Sequence, residues 1–286
     1  MKNKNLFFFL LTILALIAFS GCKKKSKEIV IVPDAQKNHL QRSRLKGDIQ
    51  FITTTAYNTS NKDSLTQNNI SSIIIQHYSS DGYLIKLITL DKNLDTVNVR
   101  NIHYNDTGKE LNWVENDYFN KKTLTCKYLY DINGYLSKEE YYSQDTNKYS
   151  ILYKTDGIGG VIEMIRNYTE YSIRNTFSYN EKGLISKINE YDPNQKLFKY
   201  ITIEYDNYGD EVNRKVYRSE NNIIEYTYTQ YDQYGKLLRV IFENRIHALK
   251  DIKTYYEHDP KGNWRFEVFT TNKDTLYFRK REITYY

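Results

Sequence analysis

Glycine recurs in this chain at 82, 108, 134, 157, 183, 209, 235 and 262, with spacings of 26, 26, 23, 26, 26, 26 and 27 residues. Only Gly21, Gly47, Gly159 and Gly160 stand off that lattice. Four residues before each lattice glycine is an aromatic ring: Tyr78, Tyr104, Tyr130, Tyr153, Tyr179, Tyr205, Tyr231 and, in the last unit, His258. Three residues before it stands Asp or Asn in six of the eight units: Asn105, Asp131, Asn180, Asp206, Asp232 and Asp259. Repetition at a fixed period of this length marks an array of like units that bury their apolar faces only against one another.

The spacing has a chemical reason. Asp or Asn at the first position of a turn accepts a hydrogen bond from the backbone two residues on, and glycine at the fourth adopts the left-handed conformation that other residues resist. The pair predicts a tight turn with a glycine bulge joining two antiparallel strands. The flanking runs, such as "FKYITIEY" and "EYTYTQY", are β-branched and aromatic, as strands require. Polar breaks such as "SQDTNK", "DPNQK" and "SENN" lie between the glycine turns and return the chain. The expected fold is all-β: repeated antiparallel β-hairpins, about eight units of about 26 residues, in a curled meander sheet or a partly closed β-spiral. In "ISKINEY", simple alternation sets Ile185, Lys187 and Asn189 on one face and Ser186, Ile188 and Glu190 on the other. Mixed faces of this kind favour a curled sheet, and the 29 tyrosines suit wide, half-buried strands. The open edges of such a sheet need cover, which the stretch Asp48 to Asn58 and the terminal "REITYY" are placed to give. The fourth unit, "YKTDGIGGVIEM", departs most, with Lys154 where other units carry Asp or Asn.

Tyr-Asp-x-x-Gly followed by an apolar residue, recurring as "LYDINGYL", "EYDNYGDEV" and "QYDQYGKLL", resembles the YD repeats of Rhs-type proteins from about Ile70 to Tyr286. The ending "DPKGNWRFEV...REITYY" is similar to the closing units of small YD-repeat lipoproteins of Gram-negative bacteria. In large relatives the resemblance implies a hollow shell of hairpins, for which this chain is too short. It also implies, as an alternative function, a part of a toxin and immunity system.

Residues 1–21 carry a short basic start, the apolar run "LFFFLLTILALIAF" and the small residues Ser20 and Gly21, the plan of an export signal. "AFSGC" resembles a bacterial lipoprotein signal, which implies lipidation at Cys22 and a membrane partner through the acyl chains. Each buried methylene contributes about 0.8 kcal/mol to such anchoring. Residues 22–47, with "KKKSK" and Pro33, read as a flexible tether, and residues 48–286 as the repeat array. Of the formal net charge of +6, Lys2 and Lys4 belong to the signal, leaving +4 on the mature chain. By resemblance to lipoproteins whose acidic stretch directs them outward, the basic tether implies the periplasmic face of the outer membrane rather than the cell surface.

Catalytic signatures are missing. The five histidines, at 39, 77, 103, 247 and 258, have no metal-ligand spacing, and no nucleophile elbow, phosphate loop or Cys-x-x-Cys pair occurs. One carboxylate per turn falls short of the six or more oxygens of a calcium site. "DPKG" at 259–262 reads as an ordinary turn. Cys126, in the strand-like "LTCKYLY", reads as a small buried apolar residue. The expectation is a monomeric, non-enzymatic envelope lipoprotein with no cofactor, no metal and no nucleic-acid partner. A glycan or an envelope protein would then be its partner, and Trp113, Tyr128, Tyr226, Tyr228 and Trp264 are the candidate binding rings.

Overall fold

The computed structural model describes residues 40, 43 and 45–286, apart from 60, 62, 64, 145, 219–221 and 273. The expected signal segment 1–21, Cys22 and most of the tether lie outside the described residues.

The strands are β1 (Ile49–Tyr57), β2 (Ile70–Tyr78), β3 (Leu84–Asp91), β4 (Thr96–Tyr104), β5 (Glu110–Asp117) and β6 (Lys122–Tyr130). They continue as β7 (Leu136–Ser143), β8 (Thr146–Thr155), β9 (Val161–Asn167), β10 (Ser172–Tyr179), β11 (Ile185–Tyr191) and β12 (Leu197–Tyr205). The last six are β13 (Glu211–Arg218), β14 (Ile223–Tyr231), β15 (Leu237–Asn244), β16 (Leu249–His258), β17 (Trp264–Thr271) and β18 (Asp274–Tyr285). A 3-10 turn, Gln67–Asn69, precedes β2. No helix among the described residues is long and apolar enough to cross a membrane.

Every strand pairs antiparallel with its neighbours in sequence, and β1 pairs with β18, so the 18 strands form a closed up-and-down barrel. The expected curled sheet or partly closed spiral is thereby corrected to a complete ring. The two segments placed as covers over open edges are themselves β1 and β18. They hydrogen-bond to each other in the register Ile52↔Ile283, Thr54↔Arg281 and Ala56↔Arg279, and Tyr286 N–H donates to Asp48 O at 2.9 Å. Mutual pairing satisfies both rows of backbone groups, which covering loops would satisfy only in part.

One end of the barrel carries the glycine turns. Asp131 shows their construction: its Oδ1 accepts from the N–H groups of Asn133 (2.9 Å) and Tyr135 (2.8 Å), and Gly134 N–H donates back to Asp131 O at 2.9 Å. Gly134 sits at φ +78°. Gly82 (φ +81°), Gly108 (+77°), Gly183 (+73°), Gly209 (+82°), Gly235 (+73°) and Gly262 (+90°) share that left-handed backbone. Each donates its N–H to the carbonyl three residues earlier, on Ser79, Asn105, Asn180, Asp206, Asp232 and Asp259 respectively, at 2.9 to 3.2 Å. Ser79 fills the Asp place in the first unit through its hydroxyl, which accepts from Tyr83 N–H at 3.1 Å.

The fourth unit corrects the glycine lattice. Gly157 is not in the left-handed region; Gly159 is, at φ +93°, and the turn runs from Asp156 to Gly159. Asp156 therefore occupies the Asp place, and the spacings around this unit become 25 and 24 in place of 23 and 26. Gly47, off the lattice, also lies at φ +90°.

Just after seven of the eight glycine turns of the repeat the register skips a residue, while the Gly262 hairpin pairs without a skip. Leu129 faces Lys138 and Tyr130 faces Leu136, which leaves Ser137 as the extra residue of a β-bulge. The bulge shifts face parity by one. The same skip between Ser178/Tyr179 and Lys187/Ile185 sets Ile185 on the side of Ile188 and Glu190, correcting the simple alternation read from "ISKINEY".

Following the register round the ring, Ile52, Ile102, Cys126, Glu139, Ile151, Ile203, Val216, Tyr255 and Glu267 all stand on one face, and all are buried. This face lines the lumen. The opposite, outer face carries ion pairs such as Lys138–Glu140 at 2.6 Å, Lys215–Glu204 at 3.2 Å and Lys250–Glu243 at 2.7 Å. Those charges fit a wall that meets water over these sectors, since the outer wall of a bilayer-spanning barrel is an apolar band.

The glycine end is covered by the chain entering it. Leu40 packs with Ile49, Ile52 and Tyr78, flanked by Leu45, Leu84, Ile283 and Tyr285. Lys46 N–H donates to Asn263 Oδ1 at 2.7 Å, and Asn263 Nδ2 donates to Lys46 O at 2.8 Å. The packed body thus begins by Leu40 rather than at Asp48, because the cap needs the Leu40 and Leu45 side chains.

Candidate functional site: the barrel lumen

The repeat tyrosines are accounted for first, because their fixed place in the unit is structural. Tyr104, Tyr130, Tyr179 and Tyr205 donate their hydroxyls to the carbonyl oxygens of Leu84, Glu110, Val161 and Ile185, at 2.7 to 2.8 Å. His258 Nε2 meets Leu237 O at 2.9 Å in the same way. Each bond ties one glycine-turn hairpin to the preceding one. In the shifted fourth unit Thr155 takes the ring's place, and Tyr153 turns its hydroxyl to Glu139 Oε1 at 2.7 Å.

That substitution assembles a cluster in the lumen. Glu139, on β7, also accepts from the Tyr141 hydroxyl and faces Tyr128 across β6 and Ile151 across β8. Burial, together with the adjacent carboxylate, pushes the Tyr128, Tyr141 and Tyr153 phenols well above the ordinary tyrosine range, so all three remain neutral donors. Cys126 is fully buried beside them, and burial pushes its thiol up to about 12, which removes it as a nucleophile.

From this cluster runs a track of rings. Trp113 meets Tyr141 edge-on at 6.1 Å between centroids, Tyr141 stacks on Tyr149 at 4.2 Å and 13°, Tyr149 lies 5.6 Å from Tyr168, and Tyr168 stacks on Tyr171 at 4.8 Å. Arg100 caps the Trp113 end, its guanidinium carbon 4.2 Å from the ring centroid, while its side chain pairs with Glu115 at 2.7 Å. Five aromatic rings from β5 to the β9–β10 turn thus form one continuous surface. A second cluster stands on β16 to β18: Tyr255 and Trp264, 5.3 Å apart, with Arg281 over Trp264 at 3.5 Å and Glu267 bonded to Arg279 at 3.3 Å.

The five candidate rings are divided by the wall. Trp113, Tyr128 and Trp264 reach the lumen side, whereas Tyr226 and Tyr228 face outward, on the side of Lys215 and Ile241. Tyr226 donates to Asn213 Oδ1 at 2.9 Å on that outer surface. They cannot form one binding surface. Tyr141, Tyr149, Tyr168 and Tyr171, which continue the track from Trp113, were not singled out by the sequence. No group of His, Cys, Asp and Glu among the described residues could hold a metal ion.

No family model matches the chain, so the YD-repeat resemblance rests on the repeated phrase itself. No curated protein matches it either. Among solved structures, a porin-like protein from Bacteroides uniformis is 12% identical with a TM-score of 0.43, over 82% of this chain and 96% of that one. A porin-like protein from Bacteroides vulgatus is 9% identical with a TM-score of 0.33, over 66% and 94%. The TcdB2-TccC3-TEV structure is 12% identical with a TM-score of 0.37; it is matched over 71% of this chain, which spans only 14% of that one. At these levels the likenesses carry no assignment of activity.

Proposed function

We propose that this chain is a lipid-anchored, non-enzymatic binding protein of the bacterial cell envelope, held on the periplasmic face through Cys22, and that its ligand lies along the lumen track from Trp113 to Tyr171. The observation that carries the reading is the parallel stack of Tyr141 on Tyr149 in line with Trp113. Rings in sequence, with an Arg–Glu pair at one end, suit the alternating apolar faces and hydroxyl edges of a sugar chain, so an envelope glycan is the partner class. Around Glu139 the phenols stay neutral, with Tyr141 and Tyr153 donating to its carboxylate, so the cluster holds this part of the lumen wall in place beside the track.

Two experiments test it. Trp113 and Trp264 are the only tryptophans, so Trp264→Phe leaves Trp113 as a single reporter. Peptidoglycan fragments or outer-membrane oligosaccharides should change its emission saturably, and Tyr149→Ala should weaken that response about tenfold or more, in line with the loss of one stacking ring. No response to any envelope glycan would end the reading. For the anchor, Cys22→Ala should abolish metabolic labelling with a fatty acid, and persistent labelling would refute lipidation at that residue.

A further inference from the structure

Among the described residues, Arg281 on β18 is a lumen guanidinium that shares its one neighbouring carboxylate with a second guanidinium. Its Nε is buried and has no hydrogen-bond partner. The guanidinium carbon stands 3.5 Å from the centroid of the Trp264 ring. The nearest carboxylate, Glu267, is 2% exposed and is already engaged by Arg279 Nη1 at 3.3 Å and by the Tyr255 hydroxyl. Two guanidiniums therefore share one carboxylate. The other groups that face Arg281 are Tyr78 and Tyr255, both neutral because burial raises their phenols, Tyr78 to about 12. Its partner across β1 is Thr54. The same burial draws the Arg281 guanidinium down to about 10, so it remains charged at neutral pH.

A buried, hydrogen-bond-deficient cation is strongly unfavourable unless something answers it, and replacing it by an apolar residue then stabilises the fold. The Trp264 ring attracts the cation but offers no hydrogen-bond acceptor, so it leaves Nε–H unsatisfied. We infer that Arg281 and Trp264 form an oxyanion subsite within the lumen, where the guanidinium edge receives a carboxylate or phosphate group of a bound molecule. Tyr78, buried and close to Arg281, is the neutral donor available to a second oxygen of that group, since the Tyr255 hydroxyl is given to Glu267. The subsite is independent of the aromatic track on β5 to β10, so it stands or falls separately from the glycan reading.

The test uses the chain with Trp113→Phe, which leaves Trp264 as the sole reporter, and two probes, inorganic phosphate and acetate, each against sodium chloride at equal ionic strength. Saturable quenching of Trp264 is expected with at least one probe, with the responding probe separating a phosphate from a carboxylate preference. Melting temperature should rise by about 5 °C when the anion is roughly a hundredfold above its Kd. Arg281→Met should melt above its parent without anion and lose both responses. Arg281→Lys, which keeps the charge without the planar fork, should bind at least tenfold more weakly. The inference is overturned if neither probe is distinguished from chloride, if Arg281→Met responds as its parent does, or if Arg281→Lys binds unchanged.

Discussion

The Tyr205 hydroxyl donates to the carbonyl oxygen of Ile185, 20 residues earlier, at 2.8 Å. The bond joins two hairpins that the turn chemistry alone would leave as separate units. A half-buried hydroxyl-to-carbonyl bond of this kind contributes about 1 kcal/mol net. Tyr205→Phe should therefore lower the melting temperature by a few degrees, while Tyr208→Phe, at an exposed turn tip, should leave it unchanged. Equal melting of the two variants would show that the hydroxyl is dispensable.

Gly235 and Gly157 isolate backbone strain from crowding, because an added Cβ would meet nothing within 4 Å at either. Gly235 lies at φ +73° and Gly157 outside the left-handed region. Gly235→Ala should cost about 1–2 kcal/mol in denaturant unfolding, and Gly157→Ala should stay within about 0.5 kcal/mol of the parent. Gly47→Ala should behave like Gly235→Ala or worse, because its Cβ would come within 2.4 Å of the Lys261 side chain.

Asp259 gives a pH signature. Desolvation acts to raise its carboxyl, but hydrogen bonds from the Tyr285 hydroxyl and from the N–H groups of Asn263 and Lys261 outweigh it and hold the pKa below 3.8. A depressed folded pKa stabilises fully above the unfolded value and is lost as pH falls through the folded one. Asn fills this place in two other units, at Asn105 and Asn180, so Asp259→Asn keeps the turn. Thermal melts from pH 6 to pH 2.5 should show the gap between parent and variant shrinking only below about pH 4, near the unfolded carboxyl pKa. A gap that does not change with pH would mean that the Asp259 charge adds nothing.

Cys126 should be silent to thiol reagents. With no exposed surface and a thiol pushed up to about 12, it should react with Ellman's reagent at pH 8 only in denaturant. Stoichiometric reaction in the native state would show that the wall at β5 to β7 opens.

What the sequence made legible is what is encoded locally. An Asp or Asn followed three residues later by glycine suffices to place a turn, and seven of the eight lattice glycines lie at positive φ. Gly82 joins them although Ser79 stands in the Asp place, because a hydroxyl can accept the same backbone bond. Where three glycines crowd together in "DGIGG", Gly157 fits the 26-residue period only from the unit after it and Gly160 only from the unit before it, and the turn glycine is neither but Gly159, because Asp156 and not the period decides which glycine turns. The lumen was hidden by the bulges, each of which inverts the two-residue alternation in the strand after the turn and so reassigned Ile185. Tyr226 and Tyr228 followed the alternation among themselves, but nothing local tells a strand which of its faces will be the inside of a ring. Closure itself rests on the β1–β18 register, between segments more than 200 residues apart. The fixed offset of the ring before each glycine, plain in the sequence, carries a further meaning: a side chain held at constant phase implies a constant partner, here a carbonyl in the preceding unit.

Closure by sequence-adjacent strands makes the bore of this protein a countable quantity. Each glycine-turn hairpin spans two strands, and neighbouring strands lie about 4.8 Å apart, so losing or duplicating one unit changes the girth by about 10 Å and nothing finer is open to it. Point substitutions can repaint the inner wall, as at Glu139 and Glu267, which occupy equivalent places in different hairpins, five residues after Gly134 and Gly262. The width available to a guest is instead inherited in whole hairpins, a matter of copy number rather than of side chains.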